Sequence, residues 1–224
     1  GSCVGICPTN VLGLDDEDYP IVKNLSACTD CDLCVKVCPG DNFDAPSVAK
    51  ELYGEVPDVN EVYGKIEQGY LIHATNQNVR LHDGTSGGFV TVFLTSLLER
   101  GIIDGAAVVA QDDTVKWKGI AKIARTKEEL LDAAKSKYAI TATNQIFTEI
   151  MNTPGKYALV GLPCQIHGFH KAARLDKRLK ERVVLTVGLL CHAALEQDAV
   201  KLFWSGFSEE EKVKLYQRAW VFVN

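Results

Sequence analysis

Four cysteines near the start of the chain stand at a spacing that is typical of iron–sulfur ligands. Cys28, Cys31, Cys34 and Cys38 are followed directly by Pro39, so the segment reads C-x2-C-x2-C-x3-C-P. This is the bacterial ferredoxin spacing for a [4Fe–4S] cluster. Thiolates three residues apart on a tight loop can each reach a different iron of one cubane, and the proline redirects the chain. The alternative is a four-thiolate zinc site, which uses the same residue type.

A shortened copy of this motif lies at the beginning of the chain. Cys3, Cys7 and Pro8 repeat its C-x3-C-P half. In two-cluster ferredoxins the fourth cysteine of each run binds the other cluster. We therefore predict one complete ligand set, consisting of Cys7, Cys28, Cys31 and Cys34. Cys3 and Cys38 would belong to a second cluster whose other two ligands lie before residue 1. The chain thus looks cut inside a motif, because a cloning scar at Gly1-Ser2 would not explain the spacing of the cysteines that follow.

The composition is that of an ordinary globular protein. The 224 residues are 46% hydrophobic and 24% charged, which is enough apolar material for a sizeable core. The net charge of −5 offers no basic surface for nucleic acid. The longest apolar runs are too short to span a bilayer. Thiolate ligands suit a reducing compartment, so we expect a cytoplasmic protein.

The chain divides into three parts by its composition and residue pattern. Residues 1–38 predict a small two-cluster ferredoxin-like domain, and residues 39–69 form an acidic connector with a short helix near 45–53. From residue 70 to 224, β and α signals alternate, which predicts an α/β domain with a mixed or largely parallel sheet. The predicted strands cover 70–76, 105–110, 120–124, 157–161 and 183–189. The main predicted helices cover 86–100, 127–136, 144–152, 164–175, 195–204 and 208–217.

The loop Asp83-Gly-Thr-Ser-Gly-Gly88 precedes the strongest predicted helix. Its last two residues, Gly87 and Gly88, would let the backbone approach a ligand closely. Exposed N–H groups and the helix dipole then favour an anion, here a dinucleotide pyrophosphate, to which Thr85 and Ser86 would add hydroxyl donors. The alternative is a tight turn in which Ser86 caps the helix.

The last two cysteines each follow a predicted strand. Cys164 comes after the apolar run 157–161, and Cys191 comes after the run 183–188. The carboxyl ends of strands are where α/β sheets place their sites. A buried, inert cysteine is the alternative for either residue alone. Because two cysteines occupy equivalent strand ends, the sequence favours a shared site.

Several of these stretches together resemble the family of coenzyme F420 hydrogenase and dehydrogenase beta subunits, which also includes the plant 7-hydroxymethyl chlorophyll a reductase. The resemblance extends over essentially the whole chain, with the motifs in matching order and spacing. They lie at residues 28–39, 83–88, 103–106, 136–138, 161–165 and 188–192. Members of the family bind FAD, carry [4Fe–4S] clusters and pass electrons between them.

The resemblance implies a role for individual residues. The pyrophosphate of FAD would be held by Thr85, Ser86, Gly87 and Gly88. Lys137 and Tyr138 would line the flavin site, where the lysine could act catalytically by stabilising the anionic reduced ring, and Asn144 and Gln165 would contact the flavin. Cys164 and Cys191 would bind a third cluster, which the family completes with a C-x2-C pair further downstream. That pair is absent before Asn224, so we expect a fragment of a longer polypeptide.

The resemblance also implies a reaction. One-electron chemistry at the clusters would be linked through FAD to hydride transfer to or from coenzyme F420. The partners would be ferredoxin or a redox subunit, with F420 or another small organic molecule as substrate, in a hetero-oligomer. Two alternatives remain open. One is an electron-relay subunit without a substrate site of its own, and the other is a structural metal-binding module.

Overall fold

The computed structural model describes residues 1–41, 44–58, 60, 65–80, 86–191, 194–206, 208 and 210–211. Its largest element is a four-stranded sheet in the order β4-β3-β5-β6. β3 pairs antiparallel with β4 and parallel with β5, and β5 pairs parallel with β6. The mixed sheet predicted from the alternation of strand and helix signals is confirmed. The strands are β1 Leu12–Leu14, β2 Pro20–Val22, β3 Gly105–Gln111, β4 Gly119–Ala124, β5 Tyr157–Gly161 and β6 Val183–Gly188.

Helices cover both faces of this sheet. The α-helices of the described residues are α1 Ser2–Ile6, α2 Leu33–Lys36, α3 Ala45–Tyr53, α4 Phe89–Glu99, α5 Lys127–Asp132, α6 Phe147–Asn152, α7 Pro163–Leu175, α8 Lys177–Arg182 and α9 Gln197–Gly206. Ala106 and Val108 share one buried cluster with Leu94 of α4, whereas Ala107 shares another with Phe147 of α6 and Phe169 of α7. Successive residues of a strand point to opposite faces, so β3 contributes to both cores. The result is a three-layer α/β unit.

The cysteine-rich segment packs onto this unit. β1 and β2 form an antiparallel pair in which Leu12 lies opposite Val22. Ile6 and Val37, each directly before the last cysteine of its motif, are 4% and 0% exposed and join the core cluster that contains Phe147. The segment therefore shares buried apolar surface with the sheet, although the sequence predicts it as a domain in its own right.

Two sequence predictions about secondary structure are wrong. The predicted strand at 70–76 is irregular, with Tyr70 70% exposed and Leu71 fully exposed. β-propensity alone does not make a strand, because strands need an edge to pair with. The predicted helix at 127–136 ends at Asp132, and the chain then turns through Lys135 at φ 71°, a left-handed conformation that cannot continue a helix. The predicted helix at 208–217 lies mostly outside the described residues.

No helix within the described residues is long and apolar enough to cross a lipid bilayer.

Candidate iron–sulfur and flavin sites

The complete cysteine set lies on a loop shaped by its own backbone. Cys28 and Cys31 are exposed, whereas Cys34 lies half-buried in α2. Asp30 and Asp32 between them adopt left-handed conformations, with φ of 51° and 58°. Aspartate tolerates this region better than most residues, and each such residue turns the chain sharply. Local geometry therefore sets the path of the chain between successive ligands.

The donor set fits a cluster better than a single metal ion. All eight cysteines lie within the described residues, and none forms a disulfide. Within those residues, no three side chains of His, Cys, Asp or Glu converge to hold one metal ion. Four thiolates at the ferredoxin spacing are the donor set that a [4Fe–4S] cluster uses, so the chemistry of the donors fits a cluster.

The surroundings of Cys7, the predicted fourth ligand of the complete cluster, stabilise the thiolate form of its sulfur. Burial acts to raise the pKa of its thiol, but the backbone N–H groups of Thr9, Val11 and Leu12 outweigh that effect, so the pKa is lowered on balance. Hydrogen bonds from outer groups to ligating sulfurs are a common feature of metal and cluster sites. This environment suits a thiolate that ligates a cluster.

Cys3 and Cys38, the predicted ligands of the second cluster, lie half-buried against the α/β unit. The Nζ of Lys171 in α7 donates a hydrogen bond to the backbone carbonyl of Cys38 at 2.5 Å. Cys38 therefore lies against α7, the helix that also carries Cys164.

Cys164 and Cys191 stand at neighbouring strand ends. Cys164 is the second residue of α7, which follows β5, and Cys191 follows the end of β6 at Gly188. The N–H of Leu189 donates to the carbonyl of Gly161 at 2.9 Å, which holds the two strand exits together. Both cysteines are exposed, so the alternative of buried, inert thiols is wrong. The fold brings them to one edge of the sheet, as the sequence predicts.

Lys137 and Tyr138 follow α5 and approach the same edge. Leu195 donates its N–H to the carbonyl of Tyr138 at 2.8 Å, and Ala139 forms a parallel bridge with Leu195. Tyr138 thus lies on a segment paired with the chain that follows Cys191, and its side chain is 51% exposed. The Nζ of Lys137 donates to three backbone carbonyls, those of Ala133, Ala134 and Lys135 at 2.6, 2.5 and 3.1 Å.

The ammonium of Lys137 is therefore partly withdrawn from water. Burial lowers its pKa to about 8, and the positive charge of Lys135 acts in the same direction. The three carbonyl contacts give the side chain a structural role after α5, where lysines commonly satisfy the last carbonyls of a helix. Its role beside a flavin stays a prediction.

Asn144 and Gln165 form a hydrogen-bonded link between three segments. The buried Nδ2 of Asn144 donates to the Oγ of Ser2 and to the backbone carbonyl of Gln165, both at 2.8 Å. The side chain of Gln165 accepts from the N–H of Leu162 at 2.8 Å and donates to the Oγ1 of Thr143 at 3.0 Å. These contacts fix the start of α7 against α1. The predicted contacts of both residues with a flavin stay predictions.

The glycine loop before α4 is described only in part. Thr85 and the side chain of Ser86 lie outside the described residues. Gly87 and Gly88 have φ of 81° and 68°, and Gly88 rather than Ser86 is the N-cap residue of α4, so the capping alternative for Ser86 is wrong. A Cβ on Gly87 would lie 3.1 Å from the Cβ of His73, and one on Gly88 would lie 3.0 Å from the carbonyl oxygen of Val79.

Both the backbone conformation and the close packing therefore require glycine at positions 87 and 88. Because Gly88 has no side chain, it cannot cap the first N–H groups of α4, an 11-residue helix. Such an N-terminus suits an anionic group, so this described part of the loop fits a pyrophosphate.

Sequence reasoning missed the contacts that join the β1–β2 turn to the α/β unit. Asp18 is buried, forms an ion pair with Lys118 at 3.2 Å and accepts from the N–H of Ala142 at 3.3 Å. The hydroxyl of Tyr19 donates to the carboxylate of Glu196 at 2.7 Å. The partners are more than 90 residues apart in the chain, so motif spacing carried no signal of them.

A ferredoxin-type cysteine run packed on an α/β sheet with cysteines at its carboxyl edge defines a class of iron–sulfur proteins. Residues 70–147 match the family described as coenzyme F420 hydrogenase/dehydrogenase, beta subunit N-term, and residues 155–219 match the model for the carboxy-terminal part of the same beta subunits. Residues 1–42 match a 4Fe-4S dicluster domain. The chain belongs to the family of coenzyme F420 hydrogenase/dehydrogenase beta subunits.

Individual relatives agree with this assignment. The chain is 33% identical to the coenzyme F420-dependent sulfite reductase of Methanocaldococcus jannaschii, over 90% of this chain and 31% of that protein. It is 24% identical to one of the subunits of the F(420)H(2) dehydrogenase of Methanosarcina mazei, over 89% of this chain and 54% of that relative. In the F420-reducing [NiFe] hydrogenase complex of Methanosarcina barkeri, a chain of known structure aligns with a TM-score of 0.54 and 26% identity. That alignment covers 62% of this chain and 51% of the other.

The chain spans about a third to a half of the length of these relatives. Their names describe oxidoreductases or parts of oxidoreductase complexes. What the longer proteins act on extends to this chain only as a proposal.

Proposed function

We propose that this chain carries the electron-transfer part of an iron–sulfur flavoprotein oxidoreductase that moves electrons between [4Fe–4S] clusters and FAD, with coenzyme F420 as the hydride donor or acceptor. One observation carries the proposal. Cys38, from the ferredoxin-like segment, is hydrogen-bonded to α7, whose second residue is Cys164 on the carboxyl edge of the sheet. The two kinds of cysteine motif are thus neighbours in space, as an electron path requires.

The cysteines would serve successive steps of electron transfer according to their position. The exposed Cys28 and Cys31 face solvent, where a ferredoxin or another partner protein can approach. Cys3 and Cys38 would come next, because Cys38 is hydrogen-bonded to α7, and Cys164 near the start of that helix would hold a third cluster with Cys191. The sequence of sites would lead from the surface of the ferredoxin-like segment to the sheet edge.

At the sheet edge, the chain offers groups suited to a flavin. The N-terminus of α4 behind Gly87 and Gly88 would bind the pyrophosphate, with Thr85 and Ser86 as additional donors. Tyr138 would lie against the ring system, and Lys137 would place a positive charge near it, with Asn144 and Gln165 keeping α7 in position. When bound, FAD supplies the conversion between one-electron carriers and a two-electron hydride.

The experiment uses protein prepared without oxygen and loaded with FAD, iron and sulfide. Oxidised F420 is added with dithionite-reduced viologen, and loss of the deazaflavin absorbance is followed. Steady bleaching that requires FAD and is lost in Cys31→Ser, but retained in the matched loop variant Thr29→Ser, is the expected result. If the flavin is reduced through the clusters while F420 is not, the chain is instead an electron relay or acts on another organic molecule.

The partners and compartment follow from the same chemistry. Thiolate ligands are stable in a reducing environment, so we place the protein in the cytoplasm. An electron donor or acceptor must dock near Cys28 and Cys31, and a redox subunit in a hetero-oligomer or a free ferredoxin both meet that requirement. Analytical ultracentrifugation of the chain with and without ferredoxin tests for such a complex.

A further inference from the structure

The last cysteine of each ferredoxin-type motif is followed by proline, but the residue after the proline differs. It is Thr9 after Cys7 and Gly40 after Cys38. A Cβ on Gly40 would lie 3.7 Å from the Sγ of Cys38, so a side chain at this position contacts the sulfur. After Cys7 that side chain is present, and the Oγ1 of Thr9 lies 4.0 Å from the Sγ of Cys7. Thr9 thus gives Cys7 a hydroxyl neighbour that glycine cannot supply to Cys38.

The backbone after Cys7 keeps Thr9 beside the sulfur. The N–H of Asn10 donates to the carbonyl of Cys7 at 3.5 Å, which closes a turn over Pro8 and Thr9. Asn10 has a φ of 54°, a left-handed conformation that asparagine tolerates better than most residues. The chain therefore turns sharply directly after Thr9, and the hydroxyl stays within reach of the sulfur.

The direction of the hydrogen bond between Thr9 and Cys7 follows from the chemistry of a ligand. A cysteine binds iron as a thiolate, which has no proton to donate. The hydroxyl of Thr9 is then the donor, and the sulfur of Cys7 is the acceptor. A hydrogen bond to a ligating sulfur stabilises the negative charge that a cluster gains on reduction. The contact of Thr9 therefore acts to raise the reduction potential of the complete cluster.

Asp30 contacts another sulfur of the same ligand set. In the free thiol form, the Sγ of Cys28 donates to the Oδ1 of Asp30 at 3.5 Å. When Cys28 binds iron it loses this proton, and the carboxylate then faces an anionic sulfur. A negative charge beside a cluster disfavours its reduced form. Because Asp30 is exposed, water and salt screen this effect, so it should be smaller than that of Thr9.

We propose that Thr9 and Asp30 shift the reduction potential of the complete cluster in opposite directions, the hydroxyl of Thr9 raising it and the carboxylate of Asp30 lowering it. The proposal rests on the cluster assignment in the proposed function, and all four cysteines of that ligand set belong to this chain. It does not depend on FAD, on F420 or on the other four cysteines. It assigns these two side chains a role in setting the potential at which the exposed cysteine loop exchanges electrons.

The test is a redox titration followed by electron paramagnetic resonance, on the chain loaded with iron and sulfide without oxygen. Thr9→Val removes the hydroxyl and keeps the shape of the side chain, Thr9→Ala removes both, and Thr9→Ser keeps the hydroxyl. Asp30→Asn removes the charge and tolerates the left-handed conformation. Its control, Asp16→Asn, removes a charge from the exposed β1–β2 turn. Adding Cys31→Ser identifies the signal of the complete cluster as the one that disappears.

In Thr9→Val and Thr9→Ala, we expect the complete cluster to be harder to reduce. The ratio of reduced to oxidised cluster at a fixed potential should fall about threefold, which is ~28 mV for a one-electron couple. Thr9→Ser should titrate close to the unchanged protein. In Asp30→Asn the ratio should rise, by about twofold because of screening, and Asp16→Asn should change it less.

Opposite signs distinguish this proposal from general damage to the site. An unchanged midpoint in Thr9→Val and Thr9→Ala, or an equal fall in Thr9→Ser, overturns the role of Thr9. A fall in Asp30→Asn, or an equal rise in Asp16→Asn, overturns the role of Asp30. Loss of iron in all three Thr9 variants would show a purely structural role for Thr9 and overturn the proposal as well.

The outcome is separable from that of the proposed function. Midpoints that shift as expected in a chain that does not reduce F420 support the roles of Thr9 and Asp30 and contradict the substrate assignment. Turnover of F420 with midpoints that are insensitive to both residues does the reverse. If no signal disappears in Cys31→Ser, the ligand assignment is wrong and the proposal is overturned with it.

Discussion

The exposed cysteine loop and the Cys3–Cys38 pair differ in what holds them in place. Cys28 and Cys31 lie on a loop whose turns come from left-handed aspartates within the motif itself. Cys3 and Cys38 are held by contacts to α7 and to residues more than 130 positions away, including the hydrogen bond from Lys171. The first site is built locally, and the second is built by the tertiary structure.

This difference suggests that the first region mainly determines cluster binding and that the second mainly determines the distance for electron transfer. The loop positions three of the four predicted ligands, Cys28, Cys31 and Cys34, through its own backbone, and only Cys7 comes from outside it. A site fixed to α7 keeps its distance from Cys164 only while the two units stay packed together. Mutations in the first region should therefore cause the loss of a cluster. Mutations in the second region should change the distance between its cysteines and Cys164.

Replacing a ligand of the exposed loop should have the largest effect. Cys31→Ser should remove one cluster, with a loss of about four irons per chain. The far-ultraviolet circular dichroism should be preserved, because Cys31 itself is exposed and lies outside the shared core. Iron analysis and visible absorbance measure the result, with Thr29→Ser as the control. Full retention of iron in Cys31→Ser would falsify the ligand assignment.

Truncating a side chain between the two regions should be the next largest change. Ile6→Ala removes a side chain that is 4% exposed and packed in the core with Phe147, so the free energy of unfolding should fall by about 2–5 kcal/mol. The control, Ile21→Ala, alters a residue that is 41% exposed on β2 and should change little. Denaturant titration distinguishes them. Equal effects would mean that the segment is not anchored through its buried face.

The ion pair between Asp18 and Lys118 at the β1–β2 turn should contribute less to the free energy of unfolding than the buried side chain of Ile6. Asp18→Asn keeps a residue that tolerates φ 66° but removes the charge facing Lys118, at 3.2 Å. We expect a loss of about 1–3 kcal/mol in unfolding free energy, because a largely buried cation loses its partner. Asp16→Asn, at an exposed neighbouring position, is the control for thermal unfolding. A loss of the same size in that variant would contradict the assignment.

The smallest effect concerns pH at the sheet edge. Because burial lowers the pKa of Lys137 to about 8, its positive charge is present below that pH and is lost above it. If the charge favours the reduced flavin, the flavin midpoint should fall more steeply with pH above about 8 in the unchanged protein than in Lys137→Gln. Spectroelectrochemical titration between pH 7 and 9 measures the difference in slope. Parallel slopes would remove Lys137 from the flavin site.

Local sequence signals predicted much of the fold. The helix expected near 45–53 forms over Ala45–Tyr53, because Asp44 accepts from the N–H of Ser47 and Gly54 ends the helix at φ 78°. All four strands of the central sheet were predicted within one residue at each end. The strand expected at 70–76 does not form, and the short helices α1, α2 and α8 carried no periodic signal. A four- to six-residue helix is stabilised by packing rather than by propensity, which explains the omission.

The sequence by itself determined the kinds of site. The cysteine spacing, the glycine pair and the strand-end cysteines are local patterns, and their chemistry follows from residue type. Only the tertiary structure decided which of them are neighbours. The hydrogen bond from Lys171 to Cys38, the close approach at Gly168 and the ion pair of Asp18 with Lys118 join residues far apart in the chain. Such contacts depend on how the elements pack, and no spacing within a motif encodes that arrangement.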